Sequence, residues 1–293
     1  MNYRDFIHPE DSAALEKLKA VPGFDTATKW VMELGVEQFC KCMYMANHIR
    51  LSPKQMPKLY NLLPPICEQF GIDEPEFYLQ MYPTPNAYTV GDKKTFVVVT
   101  SGLLDVLEDE KELQSALAHE CGHILCRHVF YTTMVQMMLN LGGNVPFVNK
   151  LQVPLQIAYN YWCRQSELSA DRASAAFMGG SEIPMRAILR LAGGPAKYTC
   201  GLNLSEYEKQ MVECEEIQKD SKWQKILRSY AVMSEDHPFT VTRIRELKNW
   251  GDNKSFKKLS NAMRLGALGM ACQKCGKAIE PNQKFCRYCG AKI

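Results

Sequence analysis

The chain has 293 residues, of which 46% are hydrophobic and 23% are charged. This composition is typical of a globular protein with a full hydrophobic core, and it excludes a disordered, collagen-like or coiled-coil protein. The 35 basic and 32 acidic residues leave a net charge of +3, which excludes nucleic-acid binding driven by the charge of the whole chain.

The twelve cysteines are an unusual feature of this composition. Four of them cluster near the C-terminus, and eight are scattered through patterns typical of helices. The first residues show no basic start followed by an apolar run, so no signal peptide is expected. We therefore expect reduced thiols and a cytoplasmic location.

Most of the first 75 residues are predicted to be helical. One helical pattern runs from Asp25 to Met45, with Asp25 as its capping residue. Another helix is expected to begin at Ser52, because Pro53 at the first helical position and Gln55 complete the pattern of a capping box.

A short β region follows these helices. The patterns predict strands at Phe77–Met81, Asn86–Val90 and Thr95–Thr100, and Gly91-Asp92 between the last two is typical of a hairpin turn. Three neighbouring strands flanked by helices predict a small antiparallel sheet in a mostly helical α+β protein.

The longest helical patterns follow the sheet. Glu110 to Phe130 and Leu155 to Phe177 both repeat apolar residues near the 3.6-residue period. Val129 to Asn149 has no charged side chain, but its polar side chains, a glycine pair and a proline favour a helical hairpin or flap over a membrane span. Further helices are expected at Pro184–Leu191, Leu204–Lys219, Trp223–Met233 and Thr240–Asn249.

Residues His119 to His123 have the pattern HExxH. Side chains four residues apart on a helix project from the same face, so His119 and His123 can present two imidazole nitrogens to one metal ion, for which zinc is the natural choice. Glu120 lies about 100° further around the helix, where it can accept a proton from a water beside the ion. The alternative is a pair of core histidines on an amphipathic helix.

A catalytic zinc needs a third protein ligand, and the next long helical pattern offers one. Glu167 can complete a His2Glu site that leaves a fourth position open to water. Asp171, four residues later on the same helix face, can hydrogen-bond the outer nitrogen of a ligand histidine and fix its orientation. The alternative for both carboxylates is a salt-bridged helix face with Arg164 and Arg172.

With several other motifs, these residues resemble peptidase family M48, the gluzincin zinc metallopeptidases that include the HtpX and CAAX-prenyl protease groups. The resemblance spans about Leu51 to Leu247, and the motifs agree in order and approximate spacing. They are Asn86-Ala87, Thr100-Ser101-Gly102-Leu103-Leu104, His119-Glu120-Cys121-Gly122-His123 with His128, Glu167-Leu168-Ser169-Ala170-Asp171, and His237-Pro238 with Arg243.

The resemblance implies roles for the central residues. His119, His123 and Glu167 would bind zinc, and Glu120 would be the general base and acid of peptide hydrolysis. Cys121, inside the motif, is expected to pack between helices, and the alternative is a redox-sensitive thiol.

It also implies how substrate is bound. The strand of Asn86 and Ala87 resembles the edge strand on which an extended peptide adds as a further strand. His237 resembles the residue that stabilises the oxyanion of the tetrahedral intermediate. Arg243 would orient that region or contact the ligand glutamate. Membrane-bound members have hydrophobic spans around their catalytic helices, and no integral membrane span is expected here.

The C-terminal cysteines form two CxxCG knuckles, separated by ten residues. Four thiolates close a tetrahedral zinc site, so Cys272, Cys275, Cys286 and Cys289 predict a structural zinc that supplies most of the folding free energy of this short segment. The pattern resembles the zinc ribbons appended to many bacterial proteins. Disulfide pairing is the alternative.

The ribbon is basic, with five basic residues and one acidic residue between Ala271 and Ile293. Together with Phe285 and Tyr288, this charge permits contact with nucleic acid. A protein-binding or regulatory appendage is favoured, and nucleic acid is not the expected partner.

Four regions are predicted: an N-terminal helical region packed on the core (1–75), a metallopeptidase core (76–254), a linker (255–270) and a zinc ribbon (271–293). The predicted function is a zinc-dependent endopeptidase with one catalytic and one structural zinc, acting on extended polypeptide. Two alternatives stay open. One is a ribbon-directed nucleic-acid- or partner-binding protein with a secondary or inactive protease-like core, and the other is a non-catalytic zinc scaffold that binds unfolded chains.

Overall fold

The fold is given by a computed structural model of the chain. The structure describes residues 3–33, 36–141, 152–219 and 238–267, and residues 272, 274–275, 279 and 284–292 of the C-terminal segment. The predicted helix Trp223–Met233, His237 and residues 142–149 of the predicted hairpin lie outside the described residues.

The described residues form a mostly helical α+β fold, as the sequence predicts. The helices before and within the sheet region are α1 Pro9–Lys19, α2 Phe24–Glu33, α3 Val36–Asn47, α4 Pro57–Tyr60 and α5 Pro64–Phe70. The helices that follow are α6 Ser101–Val106, α7 Glu110–Leu125, α8 His128–Leu141, α9 Gln152–Met178, α10 Glu182–Gly193, α11 Ala196–Thr199, α12 Leu204–Lys219, α13 Thr240–Asp252 and α14 Lys254–Ala267. The strands are β1 Ile49–Arg50, β2 Glu76–Gln80, β3 Ala87–Gly91 and β4 Thr95–Thr100.

The sheet has four strands in the order β1-β2-β4-β3, and it is mixed. β1 pairs with β2 and β3 pairs with β4 in antiparallel register, but β2 and β4 are parallel. The expected all-antiparallel sheet is therefore wrong in one pairing, because the β3–β4 hairpin folds back so that β4 lies between β3 and β2. The hairpin depends on Gly91, whose φ is +121° and whose missing Cβ would lie 2.0 Å from the Lys94 carbonyl oxygen.

β4 is the central strand, and β3 lies at the edge of the sheet. Residues 96–100 are buried on both faces, which explains their continuous β-branched and aromatic run. Val97 and Val99 pack in the main core, and Phe96 and Val98 pack in a small cluster beside Tyr44. One edge of β3 therefore has no neighbouring strand among the described residues.

Two helices cross closely at the centre of the fold. A Cβ atom on Gly122 of α7 would lie 2.9 Å from the Cβ of Ala173 and 3.1 Å from the Cα of Ala170, both on α9. Glycine at this position therefore allows the two helix backbones to approach closely. The contact places the HExxH segment of α7 beside the segment of α9 that contains Glu167 and Asp171.

The N-terminal helix packs on α9. Ala14 and Leu18 of α1 belong to one buried apolar cluster with Leu155, Tyr159 and Trp162 of α9. Burial of these side chains stabilises the position of α1 against the long helix.

Two predicted helix starts are wrong. Ser52 does not begin a helix, because its backbone N–H and carbonyl pair with Gln55 in an isolated bridge at 3.0 and 2.9 Å. The helix starts instead at Pro57, where the second nearby proline occupies the first turn. Asp25 lies inside the first turn of α2, which begins at Phe24.

The predicted helix from Glu110 to Phe130 ends early, at Leu125. Arg127 has a φ of +62°, and this left-handed conformation ends the helix and redirects the chain into α8. The start of α8 therefore lies beside the end of α7, which brings His128 back to the motif. None of the helices described above is long and apolar enough to cross a membrane.

Candidate active site

The three predicted zinc ligands converge on one point between α7 and α9. The Nε2 atoms of His119 and His123 are 3.2 Å apart. The carboxylate of Glu167 lies 3.3 Å from each of them, through Oε2 to His119 and through Oε1 to His123. The structure thus brings together two imidazoles and one carboxylate from two helices.

These distances fit a zinc ion. Zinc–nitrogen and zinc–oxygen bonds of about 2.0 Å in a tetrahedron separate neighbouring ligand atoms by about 3.3 Å. The observed separations of 3.2–3.3 Å match that edge, so the side chains need little rearrangement to hold the ion. Two histidines and a glutamate with a fourth position open are also the donor set of catalytic zinc sites.

A carboxylate and a guanidinium support His119. Oδ1 of Asp171 lies 2.9 Å from His119 Nδ1. Arg243 of α13 donates to both oxygens of Asp171, from Nη2 at 2.6 Å and from Nε at 2.8 Å, and its Nη1 lies 3.6 Å from Oε2 of Glu167. Arg243 therefore connects both carboxylates that surround His119.

The charges around His119 favour a cation at this point. Burial by itself would lower the pKa of His119, but the carboxylates of Glu167 and Asp171 outweigh burial and raise it to about 10. Burial would raise the pKa of Asp171, yet Arg243 and His119 hold it below its usual value. The site thus stabilises positive charge, whether that charge is a proton or a metal ion.

The outer nitrogen of His123 meets another histidine. His123 Nδ1 lies 3.0 Å from Nδ1 of His128, and His128 Nε2 lies 2.9 Å from Oδ2 of Asp11 on α1. Burial lowers the pKa of His128, and the effect of Asp11 does not restore it to the usual value. Burial tends to raise the pKa of Asp11, but His128, Ser169 and Trp162 lower it overall.

Glu120 is buried at the base of the cleft and is held by the edge strand. The hydroxyl of Thr89 on β3 donates to Oε2 of Glu120 at 2.7 Å. Glu120 is 7% exposed, and it lines two cavities beside the strand.

Two cavities lie beside β3 and share four of the predicted site residues. One, of about 390 Å³, extends past His119 towards the apolar side chains of Ala187, Ile188 and Leu191. The other, of about 340 Å³, extends past His123 towards α8 and Tyr159. Both cavities are lined by Asn86, Ala87, Glu120 and Glu167, so they adjoin each other at the candidate zinc site.

Of two further residues that the sequence singled out, the structure describes Cys121 and not His237. His237 lies outside the described residues, so its position relative to Glu120 is not part of the observed geometry. Cys121 is fully buried, and a hydrogen bond with Cys67, together with burial, raises the pKa of its thiol well above the usual value. A buried thiol of raised pKa is inert, which favours the packing role.

The four C-terminal cysteines also cluster. Sγ of Cys272 lies 3.6 Å from that of Cys289, and Sγ of Cys275 lies 3.6 Å from that of Cys286. Zinc–sulfur bonds of about 2.3 Å place tetrahedral sulfurs at about this separation. The backbone N–H of Tyr288 donates to Sγ of Cys286 and lowers its pKa to about 6, which favours the thiolate that zinc requires. No disulfide joins the described cysteines.

Sequence reasoning missed two partners of the motif. Thr89 has no pattern that marks it as a partner of Glu120. Asp11 precedes the helices of the motif by more than one hundred residues, and its contact with His128 follows from the packing of α1 on α9. His128 could be recognised in the sequence as a motif residue, but Asp11 could not be recognised as its partner.

Family models match two parts of the chain. The family model for peptidase family M48 matches residues 53–251, and the model for a zinc-ribbon domain matches residues 272–293. The plastoglobule-localized metallopeptidase 48, chloroplastic, of Arabidopsis thaliana is 29% identical over 259 residues, which are 87% of this chain and 74% of that protein.

Two bacterial relatives are named protease HtpX homolog. The protein of Persephonella marina is 28% identical over 232 residues, 70% of this chain and 78% of that protein. The protein of Tropheryma whipplei (strain Twist) is 34% identical over 101 residues, 34% of each chain. Since the family match covers more than half of the sequence, the chain belongs to peptidase family M48, the family of metallopeptidases that its site residues resemble.

Proposed function

We propose that this protein is a zinc-dependent endopeptidase whose catalytic zinc is bound by His119, His123 and Glu167. The observation that supports this most strongly is the convergence of their ligand atoms at 3.2–3.3 Å, beside the buried carboxylate of Glu120. A zinc ion held by these three residues would supply a Lewis acid that makes water more acidic and the scissile carbonyl more electrophilic.

Glu120 performs the proton transfers. Its carboxylate accepts the proton of the attacking water and later donates it to the nitrogen of the leaving amine. The Thr89 hydroxyl keeps Oε2 of Glu120 in one orientation, which leaves the other oxygen to face the cleft. The proton that Glu120 accepts from water is the proton that the leaving amine gains, so one carboxylate accounts for both proton transfers of peptide-bond hydrolysis.

The edge strand binds the substrate. β3 lies at the edge of the sheet, and an extended peptide adds there as a further strand, beside Ala87 at the start of β3 and Asn86 just before it. One of the two adjoining cavities includes His119 and the other includes His123, so the cleft extends beyond each of these histidines. A substrate chain can therefore extend on both sides of the cleaved bond, which supports internal cleavage over removal of terminal residues.

His237 and Arg243 complete the proposal. His237 stabilises the oxyanion, a role assigned from the motif resemblance alone. Arg243 holds Asp171 and borders Glu167, so it orients His119 and balances the negative charge of the ligand glutamate.

The ribbon binds a second, structural zinc through its four cysteines and serves as a binding site for a protein partner.

The proposed regions of the chain remain residues 1–75, 76–254, 255–270 and 271–293. The family match begins within the first of them, at residue 53, and α14 occupies most of the third. The cytoplasmic location also stays a prediction, and the name of the Arabidopsis relative places that protein in chloroplasts.

The proposal is tested by Glu120→Gln in the full chain. The amide cannot accept the proton of the water, so cleavage of a casein-type substrate falls by about 10² to 10⁴-fold, while zinc content measured by metal analysis stays at the wild-type value. Glu110→Gln, an exposed change on the same helix, is the matched control and keeps full activity. Equal cleavage by wild type and Glu120→Gln at equal zinc content would overturn the assignment of the base.

A further inference from the structure

The N-terminal helix contributes a buried carboxylate to the surroundings of the proposed zinc site. Asp11 lies on α1 and is only 2% exposed. It precedes residue 53, where the family match begins. A buried carboxylate is costly unless its oxygens accept hydrogen bonds, and those of Asp11 do.

Three side chains donate to Asp11. The indole N–H of Trp162 donates to Oδ1 at 3.0 Å, and the indole can only donate. The hydroxyl of Ser169 donates to Oδ2 at 2.5 Å, and its oxygen accepts the backbone N–H of His8 at 2.9 Å. Nε2 of His128 lies 2.9 Å from Oδ2. Asp11 therefore acts as an acceptor towards every one of these groups.

This acceptor determines which nitrogen of each histidine carries hydrogen. Because Asp11 accepts from His128, the hydrogen of the neutral imidazole lies on Nε2, and its Nδ1 carries a lone pair. That lone pair faces Nδ1 of His123 at 3.0 Å, so His123 Nδ1 carries hydrogen and donates it. The lone pair of His123 is then on Nε2, which points towards Glu167 at 3.3 Å.

The outer nitrogens of the two ligand histidines thus have similar partners. His119 contacts its carboxylate, Asp171, directly at 2.9 Å. His123 contacts a carboxylate, Asp11, through His128. In both cases the outer nitrogen is engaged, and the inner nitrogen faces the point where the ligand atoms converge.

We propose that Asp11 and His128 are positioning residues that hold His123 in its metal-binding tautomer, so that the N-terminal helix is part of the active site. This inference rests on the proposed function only through the assignment of His123 as a zinc ligand. Neither residue contacts substrate or zinc, and both act through His123. The packing of Ala14 and Leu18 against α9 keeps the carboxylate in place.

Zinc affinity of the full chain, measured by competition with a chelator, tests the proposal. In Asp11→Asn the indole N–H of Trp162, which can only donate, keeps the amide oxygen, so the amide N–H₂ faces Nε2 of His128. Nε2 then accepts, and the hydrogen of His128 moves to Nδ1, where it opposes a hydrogen on Nδ1 of His123. We expect zinc at the His-containing site to bind at least about tenfold more weakly. Glu10→Gln, an exposed neighbour on α1, is the matched control and leaves the affinity unchanged.

Two substitutions of His128 separate positioning from packing. His128→Leu fills the space but removes both hydrogen bonds, and we expect it to weaken zinc binding about as much as Asp11→Asn does. His128→Gln can accept from His123 and donate to Asp11 with one amide group, so we expect its affinity to lie nearer to wild type. Nitrogen-15 chemical shifts of the His123 ring, which report the protonated nitrogen, should place hydrogen on Nδ1 in wild type and not in Asp11→Asn.

The outcomes separate this inference from the proposed function. His119→Ala is the reference that removes one zinc from the chain. If wild type and His119→Ala bind the same amount of zinc, the proposed function fails. If wild type binds one more zinc than His119→Ala, but Asp11→Asn and His128→Leu bind it as tightly as Glu10→Gln does, the inference is overturned. Equal affinity of His128→Gln and His128→Leu would also overturn it, because packing alone would then explain the loss.

Discussion

The hydroxyl of Thr89 donates a hydrogen bond of 2.7 Å to Oε2 of Glu120. Thr89 lies in the middle of β3, the edge strand, and both side chains are buried. The strand proposed to bind the substrate thus also orients the carboxylate proposed to move the proton. A shift of this strand therefore changes the base as well as the substrate position.

Replacement of Thr89 by valine should lower the catalytic rate. Valine has nearly the shape of threonine but cannot donate, so Glu120 becomes free to rotate away from its productive orientation. We expect kcat for a peptide substrate to fall about tenfold, with little change in zinc content. Steady-state kinetics and metal analysis on the same preparation measure both quantities.

Thr89→Ser is the control for this prediction, because it retains the hydroxyl and removes only a methyl group. It should keep most of the wild-type kcat. If valine and serine have the same kcat, the hydrogen bond has no part in catalysis and only the shape of the side chain matters.

Gly122→Val should disturb the zinc site through backbone packing. Any Cβ at position 122 would lie 2.9 Å from the Cβ of Ala173, so α7 and α9 must move apart. We expect a loss of about 1–3 kcal/mol in the free energy of unfolding and weaker zinc binding, since the ligands lie on both helices. Denaturant unfolding and chelator competition measure the two effects.

Gly180→Ala is the matched control for Gly122→Val, because a Cβ at position 180 would have no neighbour within 4 Å. Unchanged zinc affinity in Gly122→Val would show that the close helix crossing does not position the ligands.

The buried ion pair between Glu112 and Arg190 should contribute to stability and not to zinc binding. Nε of Arg190 lies 3.1 Å from Oε2 of Glu112, and the two side chains are 12% and 5% exposed. Arg190→Met leaves an unpaired buried carboxylate and should cost about 3 kcal/mol in the free energy of unfolding.

The double variant Glu112→Leu with Arg190→Met should recover much of that loss, because no uncompensated charge remains. Urea unfolding of the single and double variants measures the coupling. A double variant less stable than Arg190→Met would contradict this explanation.

The two zinc sites should empty independently. Cys286→Ser removes a thiolate that the Tyr288 N–H favours, so the ribbon should lose its zinc while the other site keeps its own. His119→Ala should have the opposite effect, and the combined variant should bind none. Metal analysis of the three variants checks this; loss of both zincs on changing one site would show that the sites depend on each other.

The short-range part of the site could be predicted from the sequence. His119 and His123 are four residues apart, as are Glu167 and Asp171, so each pair must share a helix face once a helix forms. The observed contact between Asp171 and His119 joins two such faces. What the spacing cannot supply is the crossing of the helices, which depends on Gly122 and the alanines of α9.

The long-range partners could not be predicted. Asp11 and His128 are 117 residues apart, and Thr89 and Glu120 are 31 apart, so each contact follows from how separate elements pack. The sheet shows the same limit. The positions of β2, β3 and β4 followed from local patterns, but the two-residue strand β1 was not predicted, and the insertion of β4 beside β2 depends on pairing between distant segments.

The account depends most directly on a zinc ion held by His119, His123 and Glu167. Anomalous diffraction at the zinc absorption edge, from crystals of the full chain grown with zinc, locates such an ion without any assay of activity. We predict one peak bounded by both Nε2 atoms and the glutamate carboxylate, and a second peak among the four C-terminal cysteines. Zinc-replete crystals with no peak between α7 and α9 would contradict the account.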